Sequence, residues 1–95
     1  MNEFDVLQLL KTDLLVSSAA LDEYLLTLIC TAQQLIRTEG ITLRPECAAD
    51  WTLVEMYAAY LYRKRAAQTA AEAQMPRMLR YALNNRLMAE MGRAT

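Results

Sequence analysis

The sequence predicts an all-α fold, a small bundle of about four helices with a long aromatic central helix and short connecting segments. Apolar residues recur at helical spacing in several segments, as in helices that bury one side. Hydrophobic residues make up 55% of the chain, which has only two glycines and two prolines, a composition typical of a compact helical protein. A chain of 95 residues is expected to form a single domain, residues 1–95.

The central helix is predicted from residues 51–65, WTLVEMYAAYLYRKR. Between Leu53 and Leu61 every residue except Glu55 is apolar or aromatic, and Leu, Met and Ala outnumber β-branched residues. A helix that is apolar on nearly every side is buried on nearly every side. Because one small bundle is not expected to surround it, part of its surface is predicted to meet another subunit. The candidate contacts on this helix are Trp51, Tyr57, Tyr60 and Tyr62.

The start of the central helix carries two candidate caps, Asp50 and Thr52. Thr52 and Glu55 also have the spacing of a capping box. The extended residues 41–43 before it are predicted to end at Arg44, since the residue before a proline avoids the helical conformation.

Two helices are predicted ahead of the central one. Residues 1–18 form a short helix and a loop; the helix runs from Asn2, its cap, to Leu10. Its predicted buried residues are Phe4, Leu7 and Leu10, with Val6 as a further candidate. The second helix spans residues 19–39 and ends at Gly40, placed to adopt a left-handed conformation. Its predicted buried residues are Leu21, Tyr24, Leu25, Leu28, Ala32, Leu35 and Ile36.

The last helix is predicted over residues 76–91, because proline is tolerated in a first helical turn. Residues 66–75 before it either extend the central helix or form a flexible linker. The predicted inner face of the last helix consists of Met75, Leu79, Ala82, Leu83, Leu87 and Met91. Methionines at such spacing serve equally well in a core or in an adaptable interface. Asn84 and Asn85 are poor helix formers and suit local hydrogen bonds or a contact between subunits.

Charge is divided unequally along the chain. Residues 1–62 carry nine acidic and three basic residues, whereas residues 63–95 carry seven basic and two acidic ones, so the two parts have net charges of −6 and +5. Such a chain can bind nucleic acid through its basic part, or a second copy of itself, front to back. The basic cluster of Arg63, Lys64 and Arg65 therefore supports two interpretations, phosphate binding or a solvated helix end with salt bridges to acidic groups of a neighbouring subunit.

Catalytic, cofactor and metal sites are not expected. The chain lacks histidine, has too few glycines for a phosphate-binding loop, and its two cysteines fit no metal-binding spacing. No apolar run is long enough to cross a membrane and the N-terminus lacks the features of a secretory signal, so an intracellular protein with free thiols is expected.

Two stretches resemble the small head–tail connector proteins of tailed bacteriophages and prophages. They are residues 57–65, YAAYLYRKR, and residues 75–86, MPRMLRYALNNR, of which the second is the more specific. The order of features agrees as well, since a leucine-rich helix ends at Gly40 and an acidic residue precedes the aromatic helix. The resemblance covers roughly residues 20–90.

The resemblance implies a helical subunit that assembles head to tail into a dodecameric ring. The ring would dock beneath the portal protein, close the DNA exit of the capsid and receive tail or head-closure proteins, with DNA passing only through its channel. The expected location is the virion, after assembly in the bacterial cytoplasm. The implied contact residues, in addition to those of the central helix, are Arg63, Lys64, Arg65, Met75, Arg77, Arg80, Asn84, Asn85 and Arg86.

The sequence is also compatible with two other classes of function. A small helical DNA-binding regulator would use the basic C-terminal third and its tyrosines. An intracellular protein–protein module, such as a small inhibitor, has no sequence feature of its own.

Overall fold

A computed structural model of the chain describes residues 1–70 and 73–93, and for Arg93 the backbone alone. The described residues form four α-helices and a short 3₁₀ turn at Ala19–Leu21, without a β-strand, which confirms the predicted all-α bundle. The helices are α1 (Glu3–Asp13), α2 (Asp22–Thr38), α3 (Ala48–Ala66) and α4 (Arg77–Arg93).

Helix α1 begins at the predicted cap. The Asn2 side chain accepts hydrogen bonds from the backbone N–H groups of Phe4 and Asp5, and the Asp5 carboxylate accepts one from the Asn2 N–H. This reciprocal arrangement satisfies N–H groups that have no partner within the helix. Val6, Leu7 and Leu10 are buried, but the prediction for Phe4 is wrong, because its side chain is 66% exposed.

The end of α1 is unusual. The helix continues to Asp13, and the N–H of Val16 then donates to the carbonyl oxygen of Lys11 at 2.9 Å, as in a Schellman motif. The left-handed position of that motif usually holds glycine, but here it holds Leu15, with φ 58°. The Leu15 side chain is 92% exposed.

The α2 region occupies the predicted range, with the first residues in the 3₁₀ turn. Its buried stripe differs from the prediction, because Ile29 and Gln33 are buried whereas Leu21 and Leu35 are exposed. The stripe at positions 25, 29, 32 and 36 follows helical spacing, and the other leucines lie beside it. Gly40 has φ 104°, in agreement with its predicted left-handed role.

Helix α3 begins earlier than either predicted cap allows. The residue before its first turn is Cys47, which makes no side-chain capping bond. Thr52 lies inside the helix, and its hydroxyl donates to the carbonyl oxygen of Ala48 at 3.0 Å, so the predicted capping box with Glu55 is wrong. Asp50 lies in the first turn, but its side chain points into the protein.

All other α-helices pack on α3, and α1 and α2 also pack on each other. The Cα atoms span 45 × 32 × 17 Å, so the subunit is a flattened body. Helix α4 buries Leu79 and Leu83. Met91, predicted to face inward, is exposed. The described part of residues 66–75 leaves the helix after Ala66, while residues 71 and 72 of that segment lie outside the described residues.

One subunit covers most, but not all, of the apolar surface of α3 that was predicted to meet another subunit. Trp51 and Tyr57 are buried within the single chain, and Tyr60 and Tyr62 are partly buried. Three helices and the segment before α3 pack around this one helix, while Met56, Tyr60, Leu61 and Tyr62 keep part of their surface exposed. The Trp51 indole N–H also donates to the carbonyl oxygen of Pro45 at 2.7 Å, which satisfies its polar group locally.

Candidate interaction surfaces

The largest exposed apolar side chains of the C-terminal part lie on one side of α4. Met78 and Met88 are 72% and 69% exposed, and Tyr81 and Met91 are more than half exposed. Leu79 and Leu83 face α3, so helical spacing carries the four side chains to the opposite side. Asn84 and Asn85 lie among them and are also exposed. We refer to Met78, Tyr81, Asn84, Asn85, Met88 and Met91 as the outer face of α4.

A second exposed stripe runs along α1 and continues just beyond its end. Phe4, Gln8 and Thr12 lie in α1 at steps of four residues, Leu15 lies two residues after Asp13, and all four side chains are exposed. An open groove of about 460 Å³ lies beside the C-terminal half of this stripe and is lined by Gln8, Lys11, Thr12, Leu15, Val16 and Ser17. We refer to Phe4, Gln8, Thr12 and Leu15 as the outer face of α1.

The basic cluster at the end of α3 is engaged within its own chain. An Arg63 guanidinium nitrogen lies 3.2 Å from a carboxylate oxygen of Asp13. The Lys64 ammonium lies 5.7 Å from the ring centroid of Tyr60, and the Arg65 guanidinium lies 5.4 Å from that of Tyr24. These contacts connect the end of α3 with the end of α1 and the start of α2, so the three basic side chains have partners within their own chain, whereas the predicted partners were phosphate groups or a neighbouring subunit.

The tyrosines near this cluster are poorly placed for stacking on bases. The rings of Tyr24 and Tyr62 are 6.4 Å apart between centroids, and those of Tyr57 and Tyr60 are 5.8 Å apart. Tyr57 is buried and the other three are partly buried, so each ring already packs against protein. An open stacking platform, which single-stranded nucleic acid requires, is not formed by these rings.

Asp50 is the centre of a buried ionic network that sequence reasoning missed. Its carboxylate accepts hydrogen bonds from the backbone N–H of Arg44 at 2.9 Å and from the Arg44 Nε at 3.1 Å. The Arg86 Nε donates to the other carboxylate oxygen at 3.2 Å. The side chains of Asp50 and Arg86 are only 4% and 11% exposed, so this contact is well shielded from water.

The same network ties α4 to the segment before α3. Arg86 also donates to the carbonyl oxygen of Thr42 at 2.6 Å and pairs with Glu90 at 2.9 Å. Burial would raise the pKa of the Asp50 carboxyl, but the hydrogen bonds from the two arginines outweigh it and lower the pKa to about 2. Arg86, predicted as a contact with a neighbouring molecule, is thus bound within its own chain.

A second group of ionizable side chains lies between α1 and α3. One carboxylate oxygen of Glu55 is buried without a hydrogen-bond partner among the described residues. Burial, and then the neighbouring carboxyl group of Asp13, raise the pKa of Glu55 to about 7, against the effect of Arg63. Glu55 therefore changes its charge near neutral pH.

The remaining predicted contact residues lie in or near α4. Met75 is partly buried against the core, whereas Arg77 is exposed. Arg80 is exposed as well, but its guanidinium pairs with Glu39 at 2.9 Å. The outer face of α4 therefore combines apolar side chains, two amides and the nearby guanidinium of Arg77.

Comparisons of the chain with protein-family models, curated proteins and solved structures found no match. Within residues 1–70 and 73–93, no group of three or more Cys, Asp or Glu side chains is placed to hold a metal ion. None of the helices in the described ranges is long and apolar enough to cross a membrane.

Proposed function

We propose that this chain is a structural head–tail connector of a phage or prophage, which forms a ring between the portal and the tail and closes the DNA exit of the capsid. The proposal starts from the resemblance of residues 57–65 and 75–86 to such proteins. A connector acts through contacts with other proteins, so it needs exposed surfaces that suit them.

The observation that best supports the proposal is the exposure of Met78 and Tyr81. Both belong to the stretch in which the resemblance is most specific, and both point away from the core. Exposed apolar clusters on small proteins are frequently contact sites, and flexible methionines suit surfaces that adapt to a partner. The exposed residues of this stretch therefore support the proposal of a contact with another protein.

The proposal is tested with purified portal particles from the same phage or prophage. The protein is mixed with these particles and the mixture is analysed by sedimentation and negative-stain microscopy. We expect the protein to sediment with the particles and to add a ring at one end. A protein that stays monomeric over the whole concentration range and never sediments with the particles would contradict the proposal.

The alternative, a small DNA-binding regulator, is less well supported. Arg63, Lys64 and Arg65 have partners in their own chain, and the tyrosines near them are partly or fully buried. A regulator of this kind would bind duplex DNA with an affinity that falls steeply with salt. If the protein retains DNA through this cluster, changing the three residues to alanine should abolish the retention. Retention that is unaffected by the changes would exclude DNA binding through the cluster.

A further inference from the structure

The outer face of α1 and part of the outer face of α4 have a similar spacing and order of exposed side chains. On α1 the order is apolar, polar, polar at positions 4, 8 and 12, followed by the apolar Leu15 just beyond the helix end. On α4 a similar order holds at positions 78, 81, 85 and 88, where Tyr81 contributes a hydroxyl group. At a rise of about 1.5 Å per residue, positions 4 to 12 span roughly 12 Å and positions 78 to 85 roughly 10.5 Å, so the matching helical positions differ by no more than about 1.5 Å along the axis.

We propose that the outer face of α1 in one copy of the chain docks onto the outer face of α4 in the next copy. The proposal rests on the proposed function, since it names the surfaces through which such a ring would form. The contact joins two different faces, so it is heterologous, and repetition of it produces a closed ring or an open filament.

Each pair of facing positions is chemically compatible. Phe4 faces Met78, and a methionine sulfur interacts favourably with an aromatic ring. Gln8 faces Tyr81, whose hydroxyl can exchange a hydrogen bond with the amide.

At the other end of the contact, Thr12 faces Asn85 and Leu15 faces Met88. The open groove beside Thr12 and Leu15 offers space for the flexible side chain of Met88. The apolar pairs would thus lie at both ends of the contact, with hydrogen-bonding side chains between them.

Charge determines which ends of the two helices meet. The first turn of α1 contains Glu3 and Asp5, and α4 begins with Arg77 and contains no acidic residue in its first turn. A parallel arrangement brings these opposite charges together. An antiparallel arrangement would place Glu3 and Asp5 near Glu90 instead. Because like charges across an interface are unfavourable, the parallel arrangement is preferred.

Leu15 provides an independent argument for a contact at this position. A leucine in a left-handed backbone conformation is less favourable than a glycine, and a side chain that is 92% exposed gains almost nothing from burial in the single subunit. Burial by a neighbouring copy would give this leucine the packing that it lacks in the isolated chain.

Disulfide trapping tests the contact in the full chain, with Cys30→Ser and Cys47→Ser as background. The single variants Phe4→Cys and Met78→Cys are oxidized separately and as a mixture, and the double variant is oxidized alone. Facing positions of tightly packed helices are close enough for a disulfide. We expect no crosslinking of the single variants, a dimer of twice the 10.8 kDa chain mass from the mixture, and a ladder of larger species from the double variant.

Phe4→Cys paired with Met88→Cys is the matched control, because it reports the antiparallel arrangement. The proposed arrangement is overturned if this pair crosslinks in preference to Phe4→Cys with Met78→Cys. It is also overturned if Met78→Cys forms dimers by itself, which would show α4 packing against its own copy, or if no variant crosslinks at concentrations at which the protein associates.

A charge exchange provides a second test that does not depend on disulfide geometry. Glu3→Lys and Arg77→Glu are each expected to weaken self-association by about twofold to fivefold, as for an exposed charge pair. Their combination in one chain should restore it, because the opposite charges meet again in exchanged positions. Additive weakening in the combined variant would overturn the proposed pairing.

These results are separable from the test of the proposed function. Association with portal particles without crosslinks between α1 and α4 would reject this contact and leave the connector function standing. Crosslinked ladders from a protein that never binds portal particles would support the contact and reject the function.

Discussion

Asp50→Asn is the most informative test of how the fold is held together. The change preserves the size of the side chain but removes the negative charge between Arg44 and Arg86. Arg86 would remain almost buried, with Glu90 and the Thr42 carbonyl oxygen as its remaining partners. Removing one partner of a buried ion pair is destabilizing because the other charge keeps its desolvation cost.

The magnitude follows from the pKa of the Asp50 carboxyl, which folding lowers from 3.8 to about 2. Each unit of difference corresponds to about 1.4 kcal/mol, so the charge contributes about 2 kcal/mol to the free energy of unfolding at neutral pH. Because the pKa is lower in the folded state, this contribution is present above pH 4 and is lost as the pH falls from about 4 to 2.

Urea denaturation of the wild type and of Asp50→Asn at a series of pH values measures this contribution. At pH 7 we expect the variant to lose about 2 kcal/mol, or roughly 10 °C in melting temperature for a domain of this size. The difference should disappear near pH 2. Glu46→Gln, at an exposed position close by, is the control and should change the stability by less than about 0.5 kcal/mol. A loss in Asp50→Asn that is equally large at pH 2 and pH 7 would refute the electrostatic explanation.

Three further predictions concern other parts of the fold. Because folding raises the pKa of Glu55 from 4.5 to about 7, the free energy of unfolding should fall as the pH rises through this interval, by about 1 kcal/mol after allowance for solvent screening. Denaturation at a series of pH values should show that Glu55→Gln removes this dependence, whereas the exposed control Glu23→Gln leaves it unchanged. Leu15→Gly should raise the free energy of unfolding by roughly 0.5 to 1 kcal/mol, because glycine adopts φ 58° without strain; a loss of stability would contradict this. Gly40→Ala should lower it by roughly 1 to 2 kcal/mol, because φ 104° is unfavourable for alanine, whereas Gly92→Ala, whose added methyl group meets no atom within 4 Å, should show no loss. If thermal melts show equal losses for Gly40→Ala and Gly92→Ala, the positive φ of Gly40 is not the cause of the loss at that position.

The fold class and several helix ends could be predicted from the sequence because they depend on local signals. Asn2 caps the helix that follows it, and Gly40 adopts the left-handed conformation after α2. Both features are determined within a few residues of the chain. Thr52 shows the limit of such patterns, because a capping sequence inside a longer helix has no free N–H groups to satisfy.

Which side of each helix is buried was predicted less well. The first helix has apolar residues on more than one side, and a single sequence does not indicate which of them the other helices will cover. The sequence therefore favours Phe4 for the core over Val6, although Val6 is fully buried and Phe4 is exposed. The same ambiguity applies to α3, whose apolar residues predict more uncovered surface than the single chain leaves.

The ionic network was not predictable for a different reason. Asp50 and Arg86 are 36 residues apart, and no local spacing connects them. From the sequence alone, Asp50 is a candidate helix cap and Arg86 is one of several arginines in a basic region. The three-dimensional arrangement alone turns these two residues into a buried pair.

The way α4 is attached has a consequence for the dynamics of the subunit. It packs on α3 with one side, and its polar contacts with the rest of the chain include the Asp50–Arg86 pair, the Arg80–Glu39 pair, and hydrogen bonds of Thr42 with Arg86 and Glu90. Helices α1, α2 and α3 pack on one another in all three combinations. Opening of α4 as a unit would therefore break fewer contacts than global unfolding, so its amide hydrogens should exchange through a local opening event while the other three helices remain assembled.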